Sequence, residues 1–305
     1  MGAVDIVQPK TDVYPKIACD SAGNIYMMAP VSKHWGVMKS TDQGATFVSV
    51  DSVPATYGRS TDIAINGANE VYVIGVRQSG DLAVRKSDST GTVWSEVVLY
   101  NLPGYTATEP RGTLDGSGNL YFGSVFVEQP SGSISRLIVQ KYDGAALTVL
   151  DDYANPAGEY LRSNRLPMHI FGSKLYVGDA SKNTTTNMST WFIRQCDLST
   201  CAAGNWTNID PSYVFEGGGS DYDISDFYQD QFNGFWSNGL SFHLAGPIYF
   251  IARYKAAAAA SWSDAIADFG DHRFGTYLRT STNRFFFTGL EFNAGVFKGV
   301  VTEYR

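Results

Sequence analysis

A phrase that recurs about every 50 residues constrains the fold of this 305-residue chain more than any other feature. In each copy, a turn marked by Gly or Asn precedes a short apolar strand that contains an aromatic residue, as in "SAGNIYMMA" and "GSGNLYFGS". The intervals are 46, 49, 55, 73 and 37 residues between the aromatic residues Tyr26, Tyr72, Tyr121, Tyr176, Tyr249 and Phe286. A period near 50 with about four short strands per repeat is typical of a β-propeller blade.

A second phrase follows the first in step. It reads "KSTD", "RKSD", "QKYD" and "RQCD", and its final residues, 46, 55 and 54 residues apart, are Asp42, Asp88, Asp143 and Asp197. Apolar and polar residues alternate before each aspartate, which predicts a half-buried third strand that leads into a turn. A two-sheet β-sandwich is the alternative, but it predicts strands spaced by 8–12 residues without the longer period.

The six repeats predict one all-β domain over residues 1–305, a six-bladed β-propeller, with seven blades as the alternative. The last repeat ends one strand short, after "FKGVVTEYR", and the N-terminal "AVDIVQP" can supply the missing strand and close the ring. The 73-residue interval before Tyr249 predicts an insertion around residues 212–238.

Composition agrees with short strands and excludes two classes of partner. Aromatic residues make up 14% of the chain and charged residues 17%, which favours twisted strands with many tight turns. The net charge is −7 and no Lys/Arg cluster occurs, so we expect no nucleic-acid partner. No run of about 18 apolar residues is present, so we expect no membrane-spanning segment. The four histidines lack zinc-ligand spacing, so we expect no metal site of that kind and no cofactor.

Three cysteines are present. Cys196 and Cys201 bracket "CDLSTC", a spacing that can close a hairpin as a disulfide, with two reduced thiols in a turn as the alternative. Cys19 lies in the apolar stretch "KIACD", where we expect a buried small residue.

The stretch "KSTDQGATF" has the pattern S-x-D-x-G-x-T-aromatic, formed by Ser40, Asp42, Gly44, Thr46 and Phe47. It resembles the Asp-box (BNR repeat) of sialidase-like propellers. The second copy, "SDSTGTVW", has Ser89 at the aspartate position. The resemblance implies a turn between the third and fourth strands of a blade, away from the active face. Asp accepts main-chain hydrogen bonds and Gly supplies a positive φ in such turns, so we expect a structural role.

Charged residues recur about ten residues before the repeated aromatic, where the first strand of each blade begins. Asp62 is one of them, and the basic candidates for ligand binding are Lys16, Arg59, Arg111, Arg162, Arg165 and Arg279. Converging guanidinium groups suit a bidentate grip on a carboxylate or a sulfate. The alternative is that these charges pair with one another and line a solvated channel.

This arrangement is similar to that of sialidases, in which three arginines hold the sugar carboxylate, a Tyr assisted by a Glu is the nucleophile and an Asp is the acid/base. The resemblance implies Tyr277, Glu109 and Asp62 as candidate catalytic residues. Sialidases, however, carry a Tyr/Phe-Arg-Ile-Pro-type sequence in the first blade. Here the comparable stretch is "VYPKIAC", with Lys16 where Arg is wanted. This departure favours a scaffold that is kept for binding without hydrolysis.

The stretch "GGGSDYDISDFYQDQFNGFW" mixes carboxylates with aromatic rings. Such mixtures suit sugars, because carboxylates accept hydrogen bonds from hydroxyls and rings cover the apolar sugar face, so Tyr228 and Trp236 are candidate ligand contacts. Asp221, Asp223 and Asp226 could bind Ca²⁺ through oxygen ligands. A solvated loop anchored by its aromatic residues is the alternative.

These observations predict a ligand-recognition propeller, glycan-binding and lectin- or adhesin-like, that is secreted or displayed at a cell surface. It would act alone or as the head of a longer fibre or surface protein. The first alternative is a retaining exo-glycosidase of the sialidase type that acts on acidic sugars. The second is a protein-interaction platform. The N-terminal "MGAVDIVQPK" has no signal-peptide pattern, so we expect any export signal to lie outside this sequence.

Overall fold

The computed structural model describes most of the chain from residue 16 onward, and the fold is given for that part. The described ranges are 16–31, 34–53, 57–132, 134–161, 166–186, 189–214, 220–229, 233–243, 248–255, 263–269, 272–279, 285–293 and 296–304. Every regular element in these ranges is a β-strand, and none of them is a helix that could span a membrane. Contacts divide the chain into two compact units, residues 1–154 with 201–204 and residues 155–200 with 205–305.

The first unit contains three four-stranded antiparallel sheets, in which strands that follow one another in the chain are also neighbours. Sheet one consists of β1 (Lys16–Cys19), β2 (Ile25–Val31), β3 (His34–Ser40) and β4 (Val48–Ser52). Sheet two consists of β5 (Tyr57–Ile65), β6 (Val71–Arg77), β7 (Leu82–Ser87) and β8 (Trp94–Tyr100). Sheet three consists of β9 (Tyr105–Leu114), β10 (Leu120–Glu128), β11 (Ser135–Tyr142) and β12 (Leu147–Ala154).

The second unit contains three further antiparallel sheets. Sheet four has five strands, because β13 (Glu159–Leu161) and β14 (Met168–Phe171) both pair with β15 (Lys174–Asn183), which is followed by β16 (Ser189–Asp197) and β17 (Thr207–Val214). Sheet five consists of β18 (Ser220–Gln229), β19 (Phe235–His243), β20 (Ile248–Lys255) and β21 (Ser263–Phe269). Sheet six consists of β22 (His272–Arg279), β23 (Phe285–Asn293) and β24 (Val296–Tyr304).

The repeated aromatic residue marks the second main strand of most sheets. Tyr26, Tyr72 and Tyr121 lie on β2, β6 and β10, and Tyr176 lies on β15. The aspartates of the second phrase follow or end the next strand, as predicted. The sequence period therefore corresponds to one antiparallel sheet in the first four repeats.

The fifth repeat differs from the expectation. Tyr249 lies on β20, the third strand of sheet five, and Trp236 on β19 has the second-strand position. With Trp236 in the series, the 73-residue interval is replaced by one of 60 residues, followed by 50 residues to Phe286. The expected insertion at 212–238 instead contains the end of β17, all of β18 and the start of β19. Acidic and apolar residues alternate with period two over residues 221–224, which is the pattern of a strand, and a β-bulge between Ile224 and Asp226 then shifts the phase.

A hydrogen-bonded turn joins the first two strands of sheets one to three. Its first side chain accepts hydrogen bonds from the main-chain N–H groups of the third and fifth residues, and its fourth residue is a Gly or Asn with positive φ. The amide of Asn24 also donates to Asp20, whereas in the second turn the amide of Asn66 donates to Glu70. Side-chain oxygens that accept local N–H bonds stabilise such turns at the spacing seen in residues 20–24, 66–70 and 115–119.

Apolar cores fill the spaces between sheets one and two, sheets two and three, and sheets four and five. Between sheets one and two, Trp35 meets Tyr57 edge to face, with ring centroids 5.2 Å apart. Phe122 of sheet three is fully buried in the core that it shares with sheet two. In the second unit, Trp191 and Phe227 join sheets four and five. Burial of such rings on folding stabilises each unit through the hydrophobic effect.

Sheet six has three described strands, one fewer than sheets one, two, three and five. The N-terminal "AVDIVQP" that we expect to complete it lies outside the described residues. Closure of a ring by that strand therefore stays a prediction.

Candidate functional site

The turn of residues 41–47 joins β3 to β4, at the third-to-fourth-strand position implied by the Asp-box resemblance. Asp42 Oδ1 accepts hydrogen bonds from the Thr46 N–H and the Ser40 hydroxyl at 2.8 and 2.7 Å, and its Oδ2 accepts from the Thr46 hydroxyl at 2.6 Å. Ser40 Oγ accepts from the N–H of Gly44, whose φ is 88°. Phe47 closes the turn and is half-buried. All of these contacts of the Asp42 carboxylate lie within residues 40–47. The carboxylate therefore stabilises the turn.

Three further aspartates make the same kind of turn. The carboxylates of Asp88, Asp143 and Asp197 each accept hydrogen bonds from main-chain N–H groups two to five residues further on. In the second turn the acceptor is Asp88, one residue before the position at which Ser89 replaces the motif aspartate. A carboxylate therefore stabilises the second turn as well, although it lies one residue before the aspartate position of the motif.

Two of these turns hold their carboxylates in the ionised form. The hydroxyl of Thr46, followed by its N–H, lowers the pKa of Asp42 from 3.8 to about 2. The hydroxyl of Thr90, followed by main-chain N–H groups, lowers the pKa of Asp88 to about 2. Hydrogen bonds to a carboxylate favour its charged form. A carboxylate with so low a pKa is a poor proton donor near neutral pH.

The cysteines divide into a bonded pair and a free thiol. Cys196 and Cys201, which flank the turn after β16, are both disulfide-bonded. Cys19 is free and exposed, in contrast to the expectation that it is buried. It ends β1, an edge strand of sheet one, and directly precedes the exposed turn that joins β1 to β2.

The charged residues predicted at the first strands occupy one equivalent position. Lys16, Asp62 and Arg111 each lie two residues before the residue that pairs with the repeated tyrosine of the second strand. A β-bulge directly precedes this position on β5 and on β9. Bulges re-aim the side chains that follow them and are common beside functional sites.

Hydrogen bonds and charge contacts connect the three first strands at this position. Lys16 Nζ lies 3.8 Å from Asp62 Oδ1, and Asp62 Oδ2 accepts a hydrogen bond from the Gly112 N–H at 3.0 Å. In the opposite direction, Arg111 Nη1 donates to the carbonyl oxygen of Thr61 at 2.5 Å. The side chains of Asp62 and Arg111 therefore stabilise the packing of neighbouring first strands.

Glu109 completes the cluster. Its carboxylate lies 3.5 Å from Arg111 Nη2, and its φ of 31° falls in the left-handed region that residues other than glycine rarely adopt. Strained backbone of this kind clusters at functional sites. The exposed fractions of the side chains are 46% for Lys16, 22% for Glu109, 15% for Arg111 and 13% for Asp62, so Lys16 is the most accessible member of the cluster. We call these four residues the first-strand site.

The second unit repeats the pattern with a histidine and an aspartate. His169 Nε2 on β14 lies 2.6 Å from Asp226 Oδ1 on β18, and Asp226 Oδ1 also accepts a hydrogen bond from the Phe227 N–H. Asp62 accepts from the N–H of Ile63 in the same way. In both units a carboxylate of one sheet thus lies against a basic side chain of the preceding sheet, although His169 pairs directly with Tyr176 and Lys16 lies two residues before the partner of Tyr26.

The sequence pattern did not predict the contact between His169 and Asp226, although the position of Asp226 could have been predicted. Asp226 lies two residues before Tyr228, the strand partner of Trp236, and it follows a bulge, as Asp62 does on β5. If Trp236 had been taken as the repeated aromatic residue, the period of the sequence would have predicted Asp226 at the position equivalent to Asp62. No spacing pattern indicates His169, because its contact with Asp226 depends on how two sheets pack.

Several residues that the sequence predicted for ligand or calcium binding form no site in the described part of the structure. Tyr228 is half-buried, and its ring lies 6.4 Å from that of Phe171. The described residues contain no cluster of three or more potential metal ligands, and Asp226 of the expected calcium set is engaged with His169. Residues whose side chains lie outside the described part are Arg59, Arg162, Arg165, Asp221, Asp223, Trp236, Tyr277 and Arg279.

No known family model matches this chain, and no curated protein sequence matches it. Its fold is all-β, with antiparallel sheets, and similar to solved propeller structures. A Lactobacillus plantarum protein has 11% identity and a TM-score of 0.59, over 94% of this chain and 83% of that one. The polysaccharide lyase Uly1 has 9% identity and a TM-score of 0.59, over 95% and 76%.

A third similar structure is Trypanosoma rangeli sialidase in complex with 2,3-difluorosialic acid. It has 10% identity and a TM-score of 0.52, and the match covers 95% of this chain and 53% of the sialidase. The present chain thus corresponds to about half the length of that enzyme. Identities near 10% show a shared fold alone.

Proposed function

We propose that this protein recognises a glycan at the first-strand site, as a six-bladed propeller that is secreted or displayed at a cell surface. The observation that carries the proposal is that charged side chains occupy one equivalent position on three neighbouring first strands. A lyase that acts on polysaccharide and a sialidase are among the solved structures of similar fold, which supports a sugar as the ligand. The protein would act alone or as the head of a longer fibre or surface protein.

The donors and acceptors of the first-strand site suit an acidic sugar. Lys16 is the most exposed member and supplies a cation for a carboxylate or a sulfate. The contacts of Arg111 with two carbonyl oxygens and Glu109 use three of its five N–H donors, which leaves two for a ligand. Glu109 accepts from sugar hydroxyls. Such mixed sets of donors and acceptors fix the orientation of a polar ligand.

Hydrolysis by a retaining exo-glycosidase is the second candidate, with Tyr277 as nucleophile, Glu109 as its partner and Asp62 as acid. It is favoured by the fold and by the strained backbone of Glu109. However, both oxygens of Asp62 already accept main-chain hydrogen bonds and one lies 3.8 Å from Lys16 Nζ, which gives the carboxylate a structural role at this position. We therefore propose glycan binding as the first candidate function, hydrolysis as the second and a protein-interaction platform as the third.

A glycan array followed by affinity measurements tests the proposal. We expect saturable binding to glycans that carry a carboxylate or a sulfate. Lys16→Gln should then weaken binding by about tenfold, as expected when a charge-assisted hydrogen bond is lost. Lys141→Gln is the matched control, because this lysine of sheet three lies over the ring of Tyr121 and near Asp143, outside the first-strand site. Equal affinities of the two variants, or an array without binding, would contradict the proposal.

The same samples separate the alternatives. Release of free sugar from a sialoside substrate, lost in Glu109→Gln, would establish the glycosidase instead. Absence of both binding and turnover would favour the interaction platform.

A further inference from the structure

A groove of about 420 Å³ lies between sheets four and five, outside the first-strand site. This volume falls within the roughly 300–1,000 Å³ that is usual for small-molecule sites. The groove is formed at the turn between β14 and β15 and beside the start of β19. It lies wholly within the second unit.

The half-buried ring of Phe171 supplies the exposed aromatic surface of the groove and packs against the buried rings of Tyr176 and Phe235. The rings of Tyr176 and Phe235 lie 4.7 Å apart, and Phe171 lies 5.6 Å from each of them. The ring of His169 stacks on Phe171 from behind, with an interplanar angle of 18°. The rings are therefore held in place before any ligand arrives, which lowers the entropy cost of binding.

Polar side chains flank these rings in register. Gln229 and Lys255 lie directly opposite Phe235 on its two neighbouring strands, and Gln195 lies opposite Tyr176. Two neighbouring strands thus present an amide and an ammonium group on either side of one ring.

Five of the polar side chains that line the groove have unused hydrogen-bonding capacity in the described part of the chain. Within the part of the chain that the structure describes, no hydrogen bond or ion pair is made by the side chains of Lys174, Gln195, Gln229, Asn233 and Lys255. Amides can donate to and accept from hydroxyls, and ammonium groups donate to anions. Several converging polar groups without partners beside ordered rings are the composition of a ligand site.

The charge of the groove selects the class of ligand. Among the described lining residues, the charged ones are Lys174 and Lys255, and both are cations. The carboxylate of Asp197 is bonded to Ser199 and to Ser173 and lies within electrostatic reach of Lys174. Lys255 has no such neighbour among the described residues, so it is the main cation for a ligand.

We propose that this groove binds a saccharide that carries a carboxylate or a sulfate, at a site separate from the first-strand site. The partly exposed ring of Phe171 covers the apolar face of a pyranose, the amides bind its hydroxyls and the lysines bind its anionic group. The site does not depend on the proposed function, because no residue is shared between the two.

Titration calorimetry with three tetrasaccharides tests the proposal: tetragalacturonate, its neutral methyl ester and a sulfated carrageenan tetrasaccharide. We expect binding of at least one anionic probe, and binding of the methyl ester that is weaker by about tenfold. Lys255→Gln should lower the affinity for the anionic probe by about tenfold. Gln229→Ala should lower the affinities for tetragalacturonate and for its methyl ester by the same factor. Both side chains lack partners within the described part, so the variants should fold, which denaturation experiments check.

Control variants distinguish the two sites. Lys141→Gln, which lies in neither site, should leave the calorimetric affinity for the groove ligand unchanged, whereas Lys16→Gln should weaken only binding at the first-strand site. The proposal is overturned if neither anionic probe binds at millimolar concentration, if the ester binds as tightly as the acid, or if Lys255→Gln binds like the wild type. Loss of binding in Lys16→Gln alone would also overturn it and would assign the ligand to the first-strand site.

Discussion

Breaking the ion pair between Asp51 and Arg85 should cost more stability than breaking the exposed pair between Arg136 and Asp152. Arg85 donates from Nε to Asp51 Oδ2 at 2.7 Å and from Nη2 to Oδ1 at 2.8 Å, a bidentate contact that joins β4 of sheet one to β7 of sheet two. The two side chains are only 13% and 6% exposed. The guanidinium also lies 5.7 Å from the ring centroid of Tyr57. Removal of either partner would leave a buried charge without compensation.

Asp51→Ala should therefore lower the free energy of unfolding by about 3–5 kcal/mol, the usual cost of breaking a buried pair. This is a large share of the roughly 5–15 kcal/mol of a typical domain. The chain offers a matched control, because Arg136 and Asp152 form the same bidentate contact at 2.8 and 2.5 Å with side chains that are 33% and 37% exposed. Asp152→Ala should cost about 0–1 kcal/mol.

Urea denaturation followed by tryptophan fluorescence measures both losses. A third variant, Asp51→Leu combined with Arg85→Met, should recover most of the stability, because paired apolar replacements of a buried ion pair are often neutral. Equal losses in the two alanine variants, within about 1 kcal/mol, would refute the reasoning that burial decides the cost of removing the carboxylate.

Three further predictions concern the turns. The pKa of Asp42 is lowered from 3.8 to about 2, so its stabilising contribution is complete above pH 3.8 and is lost as the pH falls towards 2; Asp42→Asn should flatten the decline of the urea midpoint over that window. Gly91→Ala should cost more stability than Gly144→Ala, because both glycines have positive φ but an added Cβ at Gly91 would lie 2.2 Å from Tyr26 Oη and at Gly144 would meet nothing within 4 Å; equal thermal shifts would refute this. Cys201→Ser should lower stability by about 2 kcal/mol, as expected for the short loop that the disulfide closes, and a reductant should then have no effect on the variant.

Much of the architecture is encoded in local turn chemistry, which explains what could be predicted. Asp, Asn and Gly at fixed offsets form the turns in the first four repeats, so the period of the sequence predicted the sheets there. The same register predicted that Lys16, Asp62 and Arg111 occupy equivalent positions. The fifth repeat was misassigned because two strands of sheet five, β19 and β20, each carry an aromatic residue near a turn, and Tyr249 matched the phrase better than Trp236.

Contacts between sheets could not be predicted in the same way. His169 and Asp226 are 57 residues apart, and their contact depends on the packing of β14 against β18. Arg111 was expected to face a ligand, yet part of its guanidinium donates to the carbonyl oxygen of Thr61 on a neighbouring sheet. The groove beside Phe235 has the same origin, because its lining combines strands from two sheets. A sequence period defines each sheet but not which side chains of two sheets meet.

The position of a bound glycan tests the central claim most directly. A crystal structure with the strongest ligand from the array should show the sugar within hydrogen-bonding distance of Lys16 and Glu109, with its anionic group towards Lys16 or Arg111. A sugar bound elsewhere on the protein, with the first-strand site occupied only by water, would contradict recognition at that site.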